Sequence, residues 1–252
     1  MKVALCHLEL SNGPEQKNIE LLEKAVRIAA EKGANWVITP ETAVQGYYFY
    51  KLEPETKVDK QPSSKLSFLL SLVKDYGLFL FLGCGEYDSE LNCNFNSCIV
   101  FEPSGEICGR HRKIISHGIG AESWARTADV LKPIDCLNIK VGVLVCADAW
   151  YSEKMQKKGA QIIIDIAAWP PTEVCGNPLG AWEKCSSVTG LPVLVCNQTG
   201  KTEWMDMTIG QSVVIEHGKV KFSYNGKQAV LLFEWDEVTG IVISKKFEVI
   251  FI

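Results

Sequence analysis

Short apolar runs alternate with helix-period segments along this chain, and no linker separates them. Such alternation points to an α/β architecture, in which strands are covered by the helices that connect them. Val3–Leu8 reads as a buried strand, and Glu15 to Lys32 puts Ile19, Leu22, Ala25, Val26 and Ala29 on one helical face before Gly33. Trp36–Thr39 is the next strand. Ser63 to Tyr76 repeats the helical pattern through Leu66, Leu69, Leu70 and Val73, and Leu78–Gly83 follows as a strand. Ser97–Glu102 and Glu106–Arg112 then flank Pro103-Ser104-Gly105, a hairpin signature. Lys140–Cys146, Gln161–Ala167 and Pro192–Asn197 are later strands, with helices at Ser152–Lys158 and Ala181–Thr189. Gln211–Glu216 and Lys219–Tyr224 suggest a second hairpin around His217-Gly218, and Ala229–Glu234 and Ile241–Lys246 read as closing strands.

One joint occurs twice. Glu31-Lys32-Gly33-Ala34-Asn35 leads into Trp36-Val37-Ile38, and Lys157-Lys158-Gly159-Ala160-Gln161 leads into Ile162-Ile163-Ile164 in the same way. This echo implies a pseudo-symmetric protein with two mixed sheets and helices outside them, unless Gly-Ala is simply a good helix exit.

At 252 residues the chain suits one large domain, residues 1–252, with a substantial core. A net charge of −4 and the lack of a basic, aromatic-interleaved stripe argue against nucleic acid as a partner. Ten cysteines invite a disulfide reading, yet Met1–Cys6 reads as a strand rather than a signal peptide, and the spacings are irregular. A reduced, cytoplasmic state is therefore expected. Cys93-x4-Cys98 and Cys175-x9-Cys185 lack a CxxC partner, and His7, His111, His117 and His217 show no metal spacing, so no metal is expected. The longest apolar stretch, Leu66 to Gly85, is broken by Lys74, Asp75 and Gly77, which excludes a membrane-spanning helix there.

Three polar residues follow strands in ways that place them on one rim. Glu41 follows Trp36-Val37-Ile38-Thr39-Pro40, Lys113 follows Glu106–Arg112, and Cys146 follows Val141–Val145. Taken singly, each suits a surface ion pair or an inert core thiol. Together a carboxylate, an ammonium and a thiol are the components of acyl transfer: base, electrostatic stabiliser and nucleophile.

Pro40-Glu41-x4-Gly46-Tyr47, Arg112-Lys113 and Cys146-x-Asp148-x-Trp150-Tyr151-x-Glu153 resemble the three motifs of the carbon–nitrogen hydrolase (nitrilase) superfamily, in the same order. Supporting matches are Gly159-Ala160 before a strand ending at Trp169, Pro192-x4-Asn197-x2-Gly200, and Gly210-x-Ser212. The resemblance covers about residues 1–235 and implies a four-layer αββα sandwich. It implies Glu41 as general base, Lys113 as oxyanion stabiliser and Cys146 as the nucleophile of a thioester intermediate. Glu122, nine residues after Lys113, sits where the family carries a second glutamate, with an exposed loop carboxylate as the other reading. Asp148 is expected to hold its loop rather than take part in chemistry. The backbone N–H of Ala147 suits a second oxyanion donor. Tyr47, Tyr48, Trp124, Trp150 and Trp169 suit an aromatic pocket wall, and Glu173 suits contact with a substrate amine, or plain solvation as a loop carboxylate. His117 is within plausible reach of the pocket. The chemistry requires no cofactor, and the resemblance implies a homodimer or larger homo-oligomer.

Departures from the family pattern lie around the pocket mouth. Ile114-Ile115-Ser116-His117 differs after Lys113, Thr127-Ala128-Asp129-Val130 replaces an aromatic-x-Pro-Gly, and Phe247–Ile252 is a short tail. The expected activity is hydrolysis of a small amide or N-carbamoyl compound, releasing ammonia. A nitrilase acting on a small nitrile is the nearest rival, and a catalytically silent binding or scaffold protein on the same fold is the alternative of another class. A lipoprotein acyltransferase would need membrane spans, and a glutaminase domain would be expected beside a synthetase.

Overall fold

The computed structural model describes residues 1–116, 120–153, 155 and 158–252. His117 and parts of the helix predicted over Ser152–Lys158 lie outside the described residues. The first sheet begins with β1 (Lys2–His7), β2 (Trp36–Ile38), β3 (Phe79–Asp88), β4 (Cys93–Phe101) and β5 (Ile107–Arg112). The second holds β6 (Ile134–Cys136), β7 (Ile139–Val145), β8 (Ile162–Ala167), β9 (Val193–Asn197), β10 (Ser212–Glu216) and β11 (Lys219–Tyr224). The chain then returns to the first sheet through β12 (Ala229–Asp236), β13 (Ile241–Val242) and β14 (Glu248–Phe251). Strand order is β13-β12-β1-β2-β3-β4-β5, with β14 also on β12, and β11-β10-β9-β8-β7-β6. Both sheets are mixed: β1-β2-β3 and β7-β8-β9 run parallel, and their other neighbours antiparallel.

The period-2 pattern of the strands explains the layering. Val3, Leu5, Trp36, Ile38, Phe79 and Phe81 from one sheet form a single buried cluster with Val141, Val143, Val145, Ile162, Ile164 and Ile166 from the other. The alternate residues Ala4, Cys6, Val37, Leu80 and Leu82 face α1 (Glu15–Glu31) and α3 (Ser67–Tyr76), whose apolar stripes cover them. Between these helices lies the single turn α2 (Phe49–Leu52). On the far side, α4 (Pro178–Thr189) buries Ala181, Trp182 and Cys185 against the second sheet. The result is the expected αββα sandwich.

The repeated joint is present in both halves, bond for bond. Lys2 N–H donates to Asn35 Oδ1 at 2.8 Å, and Asn35 N–H donates back to Lys2 O at 2.8 Å. Lys140 N–H donates to Gln161 Oε1 at 2.9 Å, and Gln161 N–H donates back to Lys140 O at 2.8 Å. Gly33 and Gly159 take φ of 80° and 84°, the left-handed helix exit that favours glycine.

Strand limits differ from the sequence reading where polar residues pair. The β3–β4 ladder runs from Leu80↔Phe101 to Asp88↔Cys93, well beyond the predicted Gly83 and Ser97. Its polar residues Glu86, Asn96 and Ser97 are buried, so they resembled a loop in sequence while serving as interior groups. The closing strand predicted over Ile241–Lys246 stops at Val242, and Glu248–Phe251 pairs with β12 instead, because the apolar residues resume only at Phe247.

Close packing at Gly83 sets the path of the segment that follows β2. A Cβ on Gly83 would stand 1.9 Å from Pro40 O and 3.0 Å from Glu41 Cα. Gly83→Ala is expected to cost about 3 kcal/mol, since backbone rather than a flexible side chain blocks the methyl group. Urea unfolding checks this against Gly105→Ala, where the nearest atom to the new Cβ is 3.5 Å away but φ is +82°.

Candidate active site

Glu41, Lys113 and Cys146 each stand just past the end of a strand, and the two facing sheets bring those ends together. The chain leaving β2 is fixed by Thr39, whose Oγ1 donates to Phe81 O at 3.1 Å and accepts Gly83 N–H at 2.9 Å. Glu41 then turns inward and is fully buried. Lys113 leaves β5 with its N–H on Asn96 O at 2.8 Å, and Ala128 N–H donates to its carbonyl at 2.9 Å. Its Nζ reaches Glu41 Oε1 at 2.7 Å and also contacts Glu122 Oε1. Glu122 ends a 3₁₀ turn, Gly120–Glu122, and accepts Tyr47 Oη–H at 3.1 Å. Asn96 Nδ2 donates to Glu41 Oε1 at 2.7 Å, and Ala168 N–H donates to Glu41 Oε2 at 3.0 Å.

Two carboxylates and one ammonium thus share a nearly dry space. Burial pushes the Glu41 carboxyl above its ordinary value of 4.5; Lys113 pulls it back and Glu122 pushes it further up. Burial also acts to raise Glu122, but the Lys113 ammonium and hydrogen bonds from Lys113, Ser116 and Tyr47 take it below its ordinary value. For Lys113, burial disfavours the charge, and the neighbouring Glu41 and Glu122 carboxylates outweigh it, holding the ammonium protonated. The pair of glutamates is thereby divided, with Glu41 the more basic of the two.

Cys146 begins a 3₁₀ stretch, Cys146–Tyr151, directly after β7. Its φ is +59°, a left-handed conformation that a side-chain-bearing residue adopts at a cost. Its N–H donates to Asp165 Oδ1 at 2.6 Å, and Asp165 Oδ2 accepts Trp182 Nε1–H at 2.7 Å. Burial and the Glu41 charge push the Cys146 thiol well above its ordinary value of 9.0, against the pull of Lys113. The resting thiol is therefore neutral and needs a base to act. Burial likewise pushes the Asp165 carboxyl far up, and Asp148 and Glu41 add to it.

Asp148 ties the segment after Lys113 to the turn that carries Cys146. Its oxygens accept Ile114 N–H at 3.1 Å, Ile115 N–H at 2.9 Å and Val145 N–H at 3.3 Å, and His111 Nε2 lies 2.8 Å away. This is the loop-holding geometry anticipated from the sequence.

The structure brings Glu41, Lys113, Glu122 and Tyr47 into one hydrogen-bonded cluster within electrostatic reach of Cys146. Ala147 follows Cys146, half-buried. Other side chains expected near the site make their contacts outside this cluster. Trp150 is 43% exposed, with Lys184 Nζ 5.7 Å from its ring centroid, because the turn buries Cys146, Asp148 and Ala149 and points Trp150 outward. Trp169 is a core residue: its Nε1 donates to Cys175 O at 2.7 Å and its ring meets Trp182 edge-on. Glu173 is exposed on its loop. Trp124 packs on Phe49 and Val58 instead. Tyr47 and Tyr48 pack edge-on against each other in one aromatic cluster with Trp204 and Met207 beside Ala168.

Sequence reasoning missed Asn96, Ala168 and Asp165 as partners of Glu41 and Cys146. Asp165 offered a signal, a lone carboxylate inside Ile162-Ile-Ile-Asp-Ile-Ala167. Asn197, noted only as a motif match, accepts Trp169 N–H at 2.9 Å and donates Nδ2–H to Trp169 O at 2.9 Å, fixing the segment that presents Ala168 to Glu41.

Removing the ammonium should leave two buried carboxyls facing each other. Lys113→Met is expected to lose about 3–5 kcal/mol at neutral pH. The two carboxyls would then take up protons on folding, so the deficit should shrink as pH falls toward 4.5, the ordinary glutamate value. Urea titrations of both proteins across that range check the sign.

Comparison with known proteins places the chain in a family. The chain is 28% identical to a citrullinase from Francisella tularensis, over 86% of this chain and 82% of that protein. It is 30% identical to an omega-amidase NIT2 from Xenopus tropicalis, over 63% of this chain and 60% of that protein. In structure it is similar to an amidase from Nesterenkonia sp. AN1, with a TM-score of 0.83 at 19% identity over 94% of each chain. The family model for carbon–nitrogen hydrolases matches residues 2–225, and the chain belongs to that family.

Proposed function

We propose that this protein hydrolyses the C–N bond of a small amide or N-carbamoyl compound through a thioester on Cys146, releasing ammonia. The observation that carries the reading is the buried Glu41–Lys113–Glu122 cluster set against a thiol held at a left-handed turn. Similarity to a citrullinase and an omega-amidase supports the substrate class.

In this reading Glu41, the more basic glutamate, takes the Cys146 proton as sulfur adds to the substrate carbonyl carbon. The carbonyl oxygen becomes an oxyanion. An ammonium has three protons, and Lys113 commits two to Glu41 and Glu122, which leaves one N–H for the oxyanion beside the backbone N–H of Ala147. The intermediate collapses, the C–N bond breaks, and protonated Glu41 gives its proton to the departing nitrogen. Glu41 then draws a proton from water as the water oxygen attacks the thioester, which frees the acid and restores the thiol. Glu122, held ionised by Lys113, accepts an N–H of the substrate amide and orients it. Tyr47 holds Glu122, and its ring packs edge-on against Tyr48, which lies in turn against Trp204. These steps need no contact from Trp150, Trp169 or Glu173.

The test is ammonia release from a panel of small amides, N-carbamoyl compounds and nitriles. Cys146→Ala should abolish release, and Lys113→Ala should lower the rate by about 10²–10³. Nitriles turned over in preference to every amide would replace the reading with nitrile hydrolysis. A base with a raised pKa must be ionised to act, so kcat/KM should fall as pH drops through a value above 4.5, and Glu41→Gln should lose both the activity and that limb.

A further inference from the structure

We propose that Asp165 is a positioning residue that holds Cys146 in its reactive conformation, and that Trp182 locks Asp165 in turn. The proposal rests on the reading of Cys146 as the nucleophile. Asp165 is fully buried in the middle of β8, a strand otherwise made of Ile162, Ile163, Ile164, Ile166 and Ala167. A buried carboxyl is costly unless its oxygens are satisfied, so an apolar residue would be the simpler occupant of that place. Here each oxygen has one donor: Cys146 N–H on Oδ1 at 2.6 Å and Trp182 Nε1–H on Oδ2 at 2.7 Å.

The need for a side-chain acceptor follows from the register. The β7–β8 ladder ends at Val145↔Ile166, and Cys146 is the next residue, already turned to φ +59°. An N–H at that point has left the strand ladder and is buried, so it requires another acceptor. Asp165, register partner of Leu144, extends from the neighbouring strand to provide one. Trp182, on α4, fixes the other end of the carboxyl. It also packs edge-on against Trp169, with ring centroids 5.7 Å apart, next to Ala168, whose N–H is on Glu41. One buried chain, Asp165–Trp182–Trp169, therefore links the turn bearing the thiol to the segment that holds the base.

The geometry allows a test in which a second substitution restores what the first removes. Asp165→Asn keeps an oxygen for Cys146 N–H, but it sets an amide NH₂ against the indole N–H, and two donors cannot pair. Adding Trp182→Phe removes the indole donor. Two rates are read: iodoacetamide labelling of Cys146, followed by peptide mass spectrometry, and kcat for ammonia release. Asp165→Asn should lower both by about 100-fold with KM little changed, the scale set by misplacing a reacting group by about 1 Å. The double variant should recover most of that loss. Wild-type rates in Asp165→Asn, or a double variant no better than the single one, would overturn the proposal. If Asp165→Asn does not fold, Trp182→Phe alone decides, with Cys146 labelling slowed severalfold in support and unchanged labelling against. If the unmodified protein releases no ammonia from any panel compound, the functional reading fails by itself, and labelling still decides the role of Asp165.

Discussion

The ammonium of Lys113, buried between Glu41 and Glu122, is the interaction on which the site depends. Two carboxylates cannot share a dry space without a cation, and a lysine cannot stay charged there without anions. Each group thus sets the charge of the others. Because Lys113 lies against both glutamates while burial and hydrogen bonding differ between them, the two diverge, one basic and one held ionised. Cys146 adds a thiol that burial and the Glu41 charge keep neutral.

The fold serves this cluster by converging strand ends. Parallel triplets in both sheets, with a left-handed glycine at Gly33 ahead of β2 and at Gly159 ahead of β8, set these two strands in corresponding places; Glu41 follows β2, and Cys146 follows β7, the strand paired with β8. The antiparallel β4–β5 pair adds Asn96 and Lys113 from the side. Tight contacts hold these ends in place: Gly83 lets Pro40 pass, Asp148 binds the backbone on both sides of the gap, and Asn197 clamps Trp169.

Much of this was legible in the residues. Apolar periodicity marked most of the strands and the longer helices, and the doubled Gly-Ala joint suited two related halves as well as a plain helix exit. The strands read just before them put Glu41, Lys113 and Cys146 at strand ends. Two kinds of information were hidden. Polar residues inside strands, such as Asn96 and Asp165, look like breaks in a pattern until a partner across the sheet or from a helix explains them. Side-chain direction within a turn is also invisible in sequence: Trp150 sits four residues from Cys146 and faces outward, while Trp204, remote in the chain, joins the aromatic cluster beside Tyr48.

The central claim, a thioester on Cys146, is tested most directly by catching it. Acid-quenching the protein during turnover of a small amide and measuring its mass, intact and by peptide, reads the intermediate itself. The account predicts a gain of one acyl group on the peptide containing Cys146. Turnover with no acyl group on that peptide, continuing in Cys146→Ala, would contradict it.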